Sequence, residues 1–61
     1  MTLFDAIADL QCNMNIVVYN NGTEIFKGTI GDLSIKAVWG QQPVKYQPFY
    51  NNEIKAYQVE I

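Results

Sequence analysis

The fold of this 61-residue chain is decided by residues 16–30, which have the sequence IVVYNNGTEIFKGTI. β-Branched and aromatic residues dominate on both sides of Asn20-Asn21-Gly22, and such residues favour strands. Asn21 and Gly22 both tolerate a positive φ, which the two-residue turns of β-hairpins require. Residues 16–19 and 23–30 are therefore predicted to form the two strands of a hairpin.

A helix is predicted before the hairpin, over residues 2–11. Thr2 is a good N-cap, and Asp5 follows three residues later in a near capping box. Asp5 and Asp9 lie one turn apart, and we expect them on a solvated face rather than in a carboxylate site. The apolar residues recur at helical spacing and share the other face: Leu3, Phe4, Ile7 and Leu10.

Residues 33–39 allow two interpretations. Asp32 is a good N-cap and Gly40 is a good C-terminal stop, which together favour a short helix or helical turn. The alternative is a strand, because the apolar residues alternate: Leu33, Ile35, Ala37 and Trp39.

The rest of the chain is predicted to form a second hairpin. Residues 44–50 form a strand that is bulged or lies at a sheet edge, because Pro48 has no N–H to donate. Asn51-Asn52 is a turn, and residues 53–61 form the last strand. In that strand Tyr57, Val59 and Ile61 share one face, and Ile54 and Ala56 share the other.

These elements predict one α+β domain over residues 1–61. The order is helix, hairpin, short helix or turn, and hairpin. Its natural architecture is an N-terminal helix packed on a small, mostly antiparallel four-stranded sheet built from the two hairpins.

Composition argues against most kinds of chemistry. The chain carries four lysines, no arginine and no histidine, and its net charge is −2, so we do not expect it to bind duplex nucleic acid. We expect the chain to bind no metal and no cofactor, and we expect it not to be an enzyme. Cys12 is the single cysteine; without a nearby base we expect a structural thiol. The lone cysteine and the absence of a signal-peptide pattern or an apolar span predict a cytoplasmic protein with no membrane contact.

The aromatic residues of the second half are the strongest candidates for a binding surface. Tyrosine and tryptophan offer a large contact area and a polar tip, which is why they carry much of the energy of protein interfaces. Asparagine and glutamine side chains nearby would supply a polar rim. The residues predicted to bind a partner are Trp39, Tyr46, Phe49 and Tyr50.

Residues 16–33, IVVYNNGTEIFKGTIGDL, resemble a recurring segment of short uncharacterised proteins from phages and prophages of Firmicutes. Those proteins are similar in length, in their N-terminal helix and in ending on a strand after an asparagine-containing turn. The family carries no activity that can be transferred residue by residue. The resemblance implies a setting, since small phage proteins often bind and block a host machine, including defence systems such as CRISPR effectors.

The leading hypothesis is therefore a non-enzymatic binding miniprotein, a phage-type inhibitor or modulator of a host protein in the host cytoplasm. A second hypothesis is an oligomeric module that binds a ligand or single-stranded nucleic acid by stacking bases on aromatic rings. A third is a self-assembling structural component that pairs through the edge at Pro48 or through the C-terminal strand.

Overall fold

A computed structural model describes residues 1–36 and 38–61. The predicted order of elements is confirmed, and the element between the two hairpins is a helix. The helices and strands are α1 (Leu3–Ile7), β1 (Asn15–Asn20), β2 (Thr23–Thr29), α2 (Ile30–Lys36), β3 (Phe49–Asn51) and β4 (Ala56–Glu60).

The four strands form one mixed sheet in the order β2-β1-β4-β3. Each hairpin, β1–β2 and β3–β4, is antiparallel, and the central pair β1–β4 is parallel. A parallel pair needs a crossover connection, and the segment that carries α2 supplies it. The predicted α+β class and mostly antiparallel sheet are confirmed. β4 lies inside the sheet, so among the described residues the free edges belong to β2 and β3.

The first hairpin turns at the predicted residues. Asn21 has a φ of 53° and Gly22 a φ of 81°, the pair of positive values that a type I′ turn requires. Asn20 pairs with Thr23 directly across the turn. The register shifts once, between Val18 and Tyr19, and this bulge increases the local twist of the ribbon.

Both helices pack on the same face of the sheet. The buried side chains between helices and sheet include Leu3 and Ile7 of α1 and Ile30 and Leu33 of α2. The strand residues of one parity face the helices, and three of them are fully buried: Ile16, Val18 and Val59. Residues of the other parity form the face that no described helix covers, which we call the open face: Val17, Tyr19, Lys27, Phe49, Asn51, Ala56, Gln58 and Glu60.

Each helix begins with its first N–H groups already paired. At α1, the N–H groups of Leu3 and Phe4 donate to the carbonyl oxygens of Gln42 and Gly40 at 2.9 and 3.0 Å. The next N–H, of Asp5, donates to the Thr2 hydroxyl at 3.2 Å, which confirms Thr2 as the N-cap. Three of the four donors that a helix N-terminus leaves unpaired are thus satisfied.

At α2 the same arrangement recurs, with one correction. Ile30 and Gly31 donate to the carbonyl oxygens of Met14 and Cys12, both at 2.9 Å. The N–H of Asp32 donates to the Thr29 hydroxyl at 3.2 Å. The N-cap is therefore Thr29, not Asp32 as predicted, because these carbonyl partners let the helix begin one turn earlier, at Ile30.

The helical interpretation of the third element is correct for residues up to Lys36, and the strand alternative is wrong there. Ile30 leaves the predicted strand 23–30 and becomes the first residue of α2. Ala37 lies outside the described residues, so the predicted alternation of 33–39 is not followed through it.

The N-terminal helix is shorter than the predicted span 2–11. Its regular part ends at Ile7. The chain then tightens: the N–H of Leu10 donates to the carbonyl oxygen of Ile7, three residues back, at 3.0 Å. This tightening is common at helix ends, and it still leaves Leu10 packed against the core.

The predicted strand 44–50 is wrong over most of its length, since β3 begins only at Phe49. Pro48 precedes the strand, as its missing N–H requires. Upstream, the backbone pairs with other partners. The N–H of Val44 donates to the carbonyl oxygen of Met1 at 3.0 Å, and the N–H of Lys45 donates to that of Glu60 at 2.8 Å.

The second turn is longer than the predicted pair Asn51-Asn52. Asn51 pairs with Ala56, so residues 52–55 form the turn and β4 begins at Ala56, not at residue 53. The Asn51 side chain accepts the N–H of Glu53 at 2.9 Å, an Asx turn. Lys55 has a φ of 53°. Ile54 therefore lies in the turn, 41% exposed, and not on a strand.

Gly40 is a position where a side chain has no room. Gly40 is buried, and a Cβ placed there would overlap the ring of Phe4. The two residues are also joined through the backbone, because Phe4 donates to the Gly40 carbonyl. Glycine at this position thus lets the turn at 40–42 approach the start of α1.

We predict that Gly40→Ala lowers the free energy of unfolding by about 1–3 kcal/mol, the usual cost of overpacking. The new methyl group must displace the Phe4 ring from its place beside the core. Urea unfolding followed by circular dichroism measures the change. Gln41→Ala, at the exposed neighbouring position, is the control and should match the parent. An unchanged midpoint for Gly40→Ala would contradict the close approach.

Two positions on α2 offer a matched test of the core. Leu33 is fully buried, whereas Ile35 is 83% exposed. We predict that Leu33→Ala costs roughly 2–5 kcal/mol through lost burial and the cavity left behind. Ile35→Ala should change stability by less than about 0.5 kcal/mol. Equal costs at the two positions in denaturant unfolding would contradict the helical placement.

Candidate binding surface

The open face carries two of the four predicted binding residues, side by side. The rings of Tyr46 and Phe49 lie 5.8 Å apart between centroids, tilted at 43°. Phe49 is 47% exposed and sits opposite Gln58 of β4. Simple strand alternation would separate the two rings, but regular strand begins only at Phe49, so Tyr46 is free to fold back beside it.

A chain of side-chain hydrogen bonds holds this pair in place. Asn51 donates from Nδ2 to Oε1 of Gln58 at 3.0 Å. Gln58 donates in turn from Nε2 to the hydroxyl of Tyr46 at 3.2 Å. Because both ends of the Gln58 amide are engaged, the Tyr46 ring is fixed from its polar tip. We call this cluster, formed by Tyr46, Phe49, Asn51 and Gln58, the aromatic patch.

The other two predicted residues lie elsewhere. Tyr50 follows Phe49 in β3, so its side chain points to the opposite face of the sheet, where its ring meets that of Tyr57 at 5.5 Å and 82°. Trp39 packs against the core and meets the Phe26 ring edge-on at 6.4 Å. The structure therefore brings together Tyr46 and Phe49, and it brings neither Tyr50 nor Trp39 to them.

A groove of about 380 Å³ also opens on the β1–β2 part of the open face. It is lined by Val17 and Ala56, each 4% exposed, and by the exposed side chain of Ile54. Lys27 lines the groove as well and brings a positive charge to a mainly apolar hollow. The open face thus offers an aromatic patch at one side and a shallow groove at the other.

Sequence reasoning missed several features of the surface. Asn51 and Gln58 were not individually expected at the patch, because the predicted turn at Asn51-Asn52 pairs Phe49 with Ile54, whereas the longer turn of the structure pairs Phe49 with Gln58. It also missed two strongly exposed apolar residues, Ile35 of α2 at 83% and Val38, beyond the end of α2, at 93%. Alternation had grouped Ile35 with Leu33, whereas a helix separates them.

The thiol and the N-terminal carboxylates singled out from the sequence lie at the surface. Cys12 is an exposed free thiol and lines a second groove, of about 340 Å³, between the two helices. Asp5 of α1 and Asp9, which lies beyond the end of that helix, are both exposed, so the two carboxylates are solvated as expected although they do not share a helix face. Within residues 1–36 and 38–61, no group of three or more histidine, cysteine or carboxylate side chains is placed to hold a metal ion.

Comparisons with known proteins do not extend this description, since no family model, curated protein or solved structure matches the chain. None of the helices in the described part of the chain is long and apolar enough to cross a membrane. Function is therefore inferred from the surface itself.

The hydroxyl of Tyr46 offers a direct test of the aromatic patch. We predict that Tyr46→Phe lowers the free energy of unfolding by about 1 kcal/mol, because the partly buried Gln58 amide loses its acceptor. Tyr50→Phe, on the other face of the sheet, should change it by less than about 0.5 kcal/mol. Denaturant unfolding of both variants makes the comparison. A larger loss for Tyr50→Phe would contradict the hydrogen-bond chain.

Proposed function

We propose that this chain is a protein-binding module and that the aromatic patch is its contact surface. The observation that carries the proposal is the exposed Phe49 ring, held against Tyr46 on a sheet face that no described helix covers. An exposed aromatic ring that is already fixed loses little conformational entropy on binding. Such rings are typical energetic centres of interfaces.

The surroundings of the patch also favour a protein partner. Asn51 and Gln58 place amide groups beside the rings, so the patch has an apolar centre and a polar rim, as protein interfaces have. β3 is an edge strand of only three residues. Its short edge limits strand-to-strand pairing, which favours recognition by side chains on the open face.

Single-stranded nucleic acid is the weaker alternative. Stacking on Tyr46 and Phe49 would need nearby positive charge for the phosphates. The closest lysine in sequence, Lys45, lies 3.6 Å from the Glu60 carboxylate, so its charge is partly neutralised. With a net charge of −2, the chain offers little attraction for a polyanion.

The finer role stays a prediction. Inhibition of a host protein by a phage protein rests on the family resemblance of residues 16–33, and the surface supports only the binding step. Self-assembly by strand pairing would use the edges of β2 or β3, since β4 is paired on both sides.

Adjacent residues of β3 give a sharp test. Phe49 and Tyr50 are similarly exposed, at 47% and 44%, but lie on opposite faces of the sheet. We predict that Phe49→Ala weakens partner binding by about 2 kcal/mol or more, roughly 30-fold, whereas Tyr50→Ala leaves it nearly unchanged. Affinity capture from a bacterial lysate with the parent and both variants, read by mass spectrometry, identifies the partner. Titration with that purified partner then gives the affinities.

Ile35→Ala serves as a second control, because it removes an exposed apolar side chain from the helical face. Loss of binding in Tyr50→Ala or Ile35→Ala, with Phe49→Ala unaffected, would move the contact surface to the helical side. Co-purifying nucleic acid that is released by salt, with no protein partner, would favour the stacking alternative.

A further inference from the structure

The turn of the first hairpin is tied to two residues from distant parts of the chain. The backbone N–H of Gly22 donates to Oε2 of Glu60 at 3.0 Å. Nζ of Lys45 donates to Oδ1 of Asn21 at 3.3 Å and lies 3.6 Å from Oε2 of Glu60. We call this closed set of contacts among Asn21, Gly22, Lys45 and Glu60 the turn clasp.

The clasp engages the two groups that can react with each other in an asparagine–glycine pair. The backbone nitrogen of Gly22 can attack Cγ of Asn21, because glycine has no side chain to hinder the approach. A bond then forms between that nitrogen and Cγ, and the bond from Cγ to Nδ2 breaks. The side-chain nitrogen leaves as ammonia, taking up the proton that the Gly22 nitrogen gives up. Water then opens the resulting succinimide at either carbonyl, giving aspartate or isoaspartate.

We propose that Asn21 is a deamidation site and that the turn clasp slows its conversion in the folded protein. Asn21 and Gly22 are both exposed, so water reaches the site and burial does not protect it. Protection must therefore come from the contacts that hold the two reacting groups.

Glu60 acts on the nucleophile. The Gly22 nitrogen must lose its proton to attack, and the carboxylate oxygen 3.0 Å away opposes the negative charge that develops on the nitrogen. The same hydrogen bond must break before the nitrogen can turn towards Cγ. Because Glu60 is the last residue of β4, the turn is held from inside the sheet.

Lys45 acts on the electrophile. Its hydrogen bond to Oδ1 fixes the plane of the Asn21 amide, so Cγ cannot swing onto the Gly22 nitrogen while the bond lasts. Lys45 is itself anchored, because its backbone N–H donates to the Glu60 carbonyl oxygen at 2.8 Å. Both restraints thus depend on the backbone hydrogen bond between Lys45 and Glu60.

The products would alter the hairpin. Isoaspartate adds one backbone carbon within a two-residue turn, which is incompatible with the pairing of Asn20 and Thr23. Aspartate at position 21 keeps the backbone but places a second carboxylate beside Glu60. Deamidation would therefore loosen the turn, and the clasp preserves the register of β1 and β2 over time.

The experiment compares deamidation rates of the full chain in mildly alkaline buffer. The variants are Glu60→Ala and Lys45→Met, with Glu53→Ala as the control that removes an exposed carboxylate away from the clasp. Peptide mass spectrometry follows the replacement of the Asn21 amide by a carboxyl group. We expect conversion to be roughly three- to tenfold faster in Glu60→Ala and faster in Lys45→Met, and equal to the parent in Glu53→Ala.

The same rates are measured in urea, where the clasp is absent. All four chains share Asn21-Gly22 and should deamidate equally once unfolded, so any difference in buffer is due to the folded structure. Circular dichroism confirms that each chain is folded in buffer, and Lys45→Met, which retains its backbone bond to Glu60, serves if Glu60→Ala unfolds. The proposal would be overturned if the folded parent and folded Lys45→Met deamidate at equal rates, or if either variant deamidates more slowly than the parent. It would also be overturned if the folded parent deamidates as fast in buffer as it does in urea. A stable loss of ammonia that links Asn21 to Lys45 would overturn it too, since the nucleophile would then be the lysine.

Discussion

The parallel pairing of β1 with β4 is the contact on which the rest of the structure depends. It sets Ile16 beside Tyr57 and Val18 beside Val59, and it joins the two hairpins into one sheet. Ile16, Val18 and Val59 are all fully buried, so the pair also supplies the sheet side of the core. Without it neither hairpin has enough apolar area to be stable alone, and the helices have no surface to cover.

Much of the fold follows from local sequence. The hairpin at Asn21-Gly22 is predictable because the turn requires positive φ at two adjacent residues and few residue pairs supply it. The N-cap Thr2 is predictable for a similar, local reason, whereas the third element is helical although neither Asp32 nor Gly40, the residues that favoured a helix, bounds α2. The parallel centre of the sheet is harder, because no short-range signal specifies which strand lies beside β1.

The errors arise where distant backbone groups decide the outcome. α2 begins at Ile30 because the carbonyl oxygens of Met14 and Cys12 accept its first N–H groups, and Asp32 alone could not reveal that. Residues 44–48 do not form the predicted strand, because the N–H groups of Val44 and Lys45 donate to the carbonyl oxygens of Met1 and Glu60. The same effect limits prediction of the aromatic patch: four aromatic residues were identified, but only the departure from regular strand before Phe49 shows that Tyr46 joins it while Tyr50 does not.

The sheet order also determines how the chain must reach its native state. The β1–β2 hairpin is local, and hairpins form in about 1–10 μs, whereas the paired residues Ile16 of β1 and Tyr57 of β4 are 41 positions apart in the sequence. Closing so long a loop costs conformational entropy before the strand contacts can stabilise it, and non-local pairing of this kind slows folding. We therefore expect the arrival of the C-terminal strand beside β1 to be the slow step of folding, because until then Ile16 and Val18 lack their partners Tyr57 and Val59.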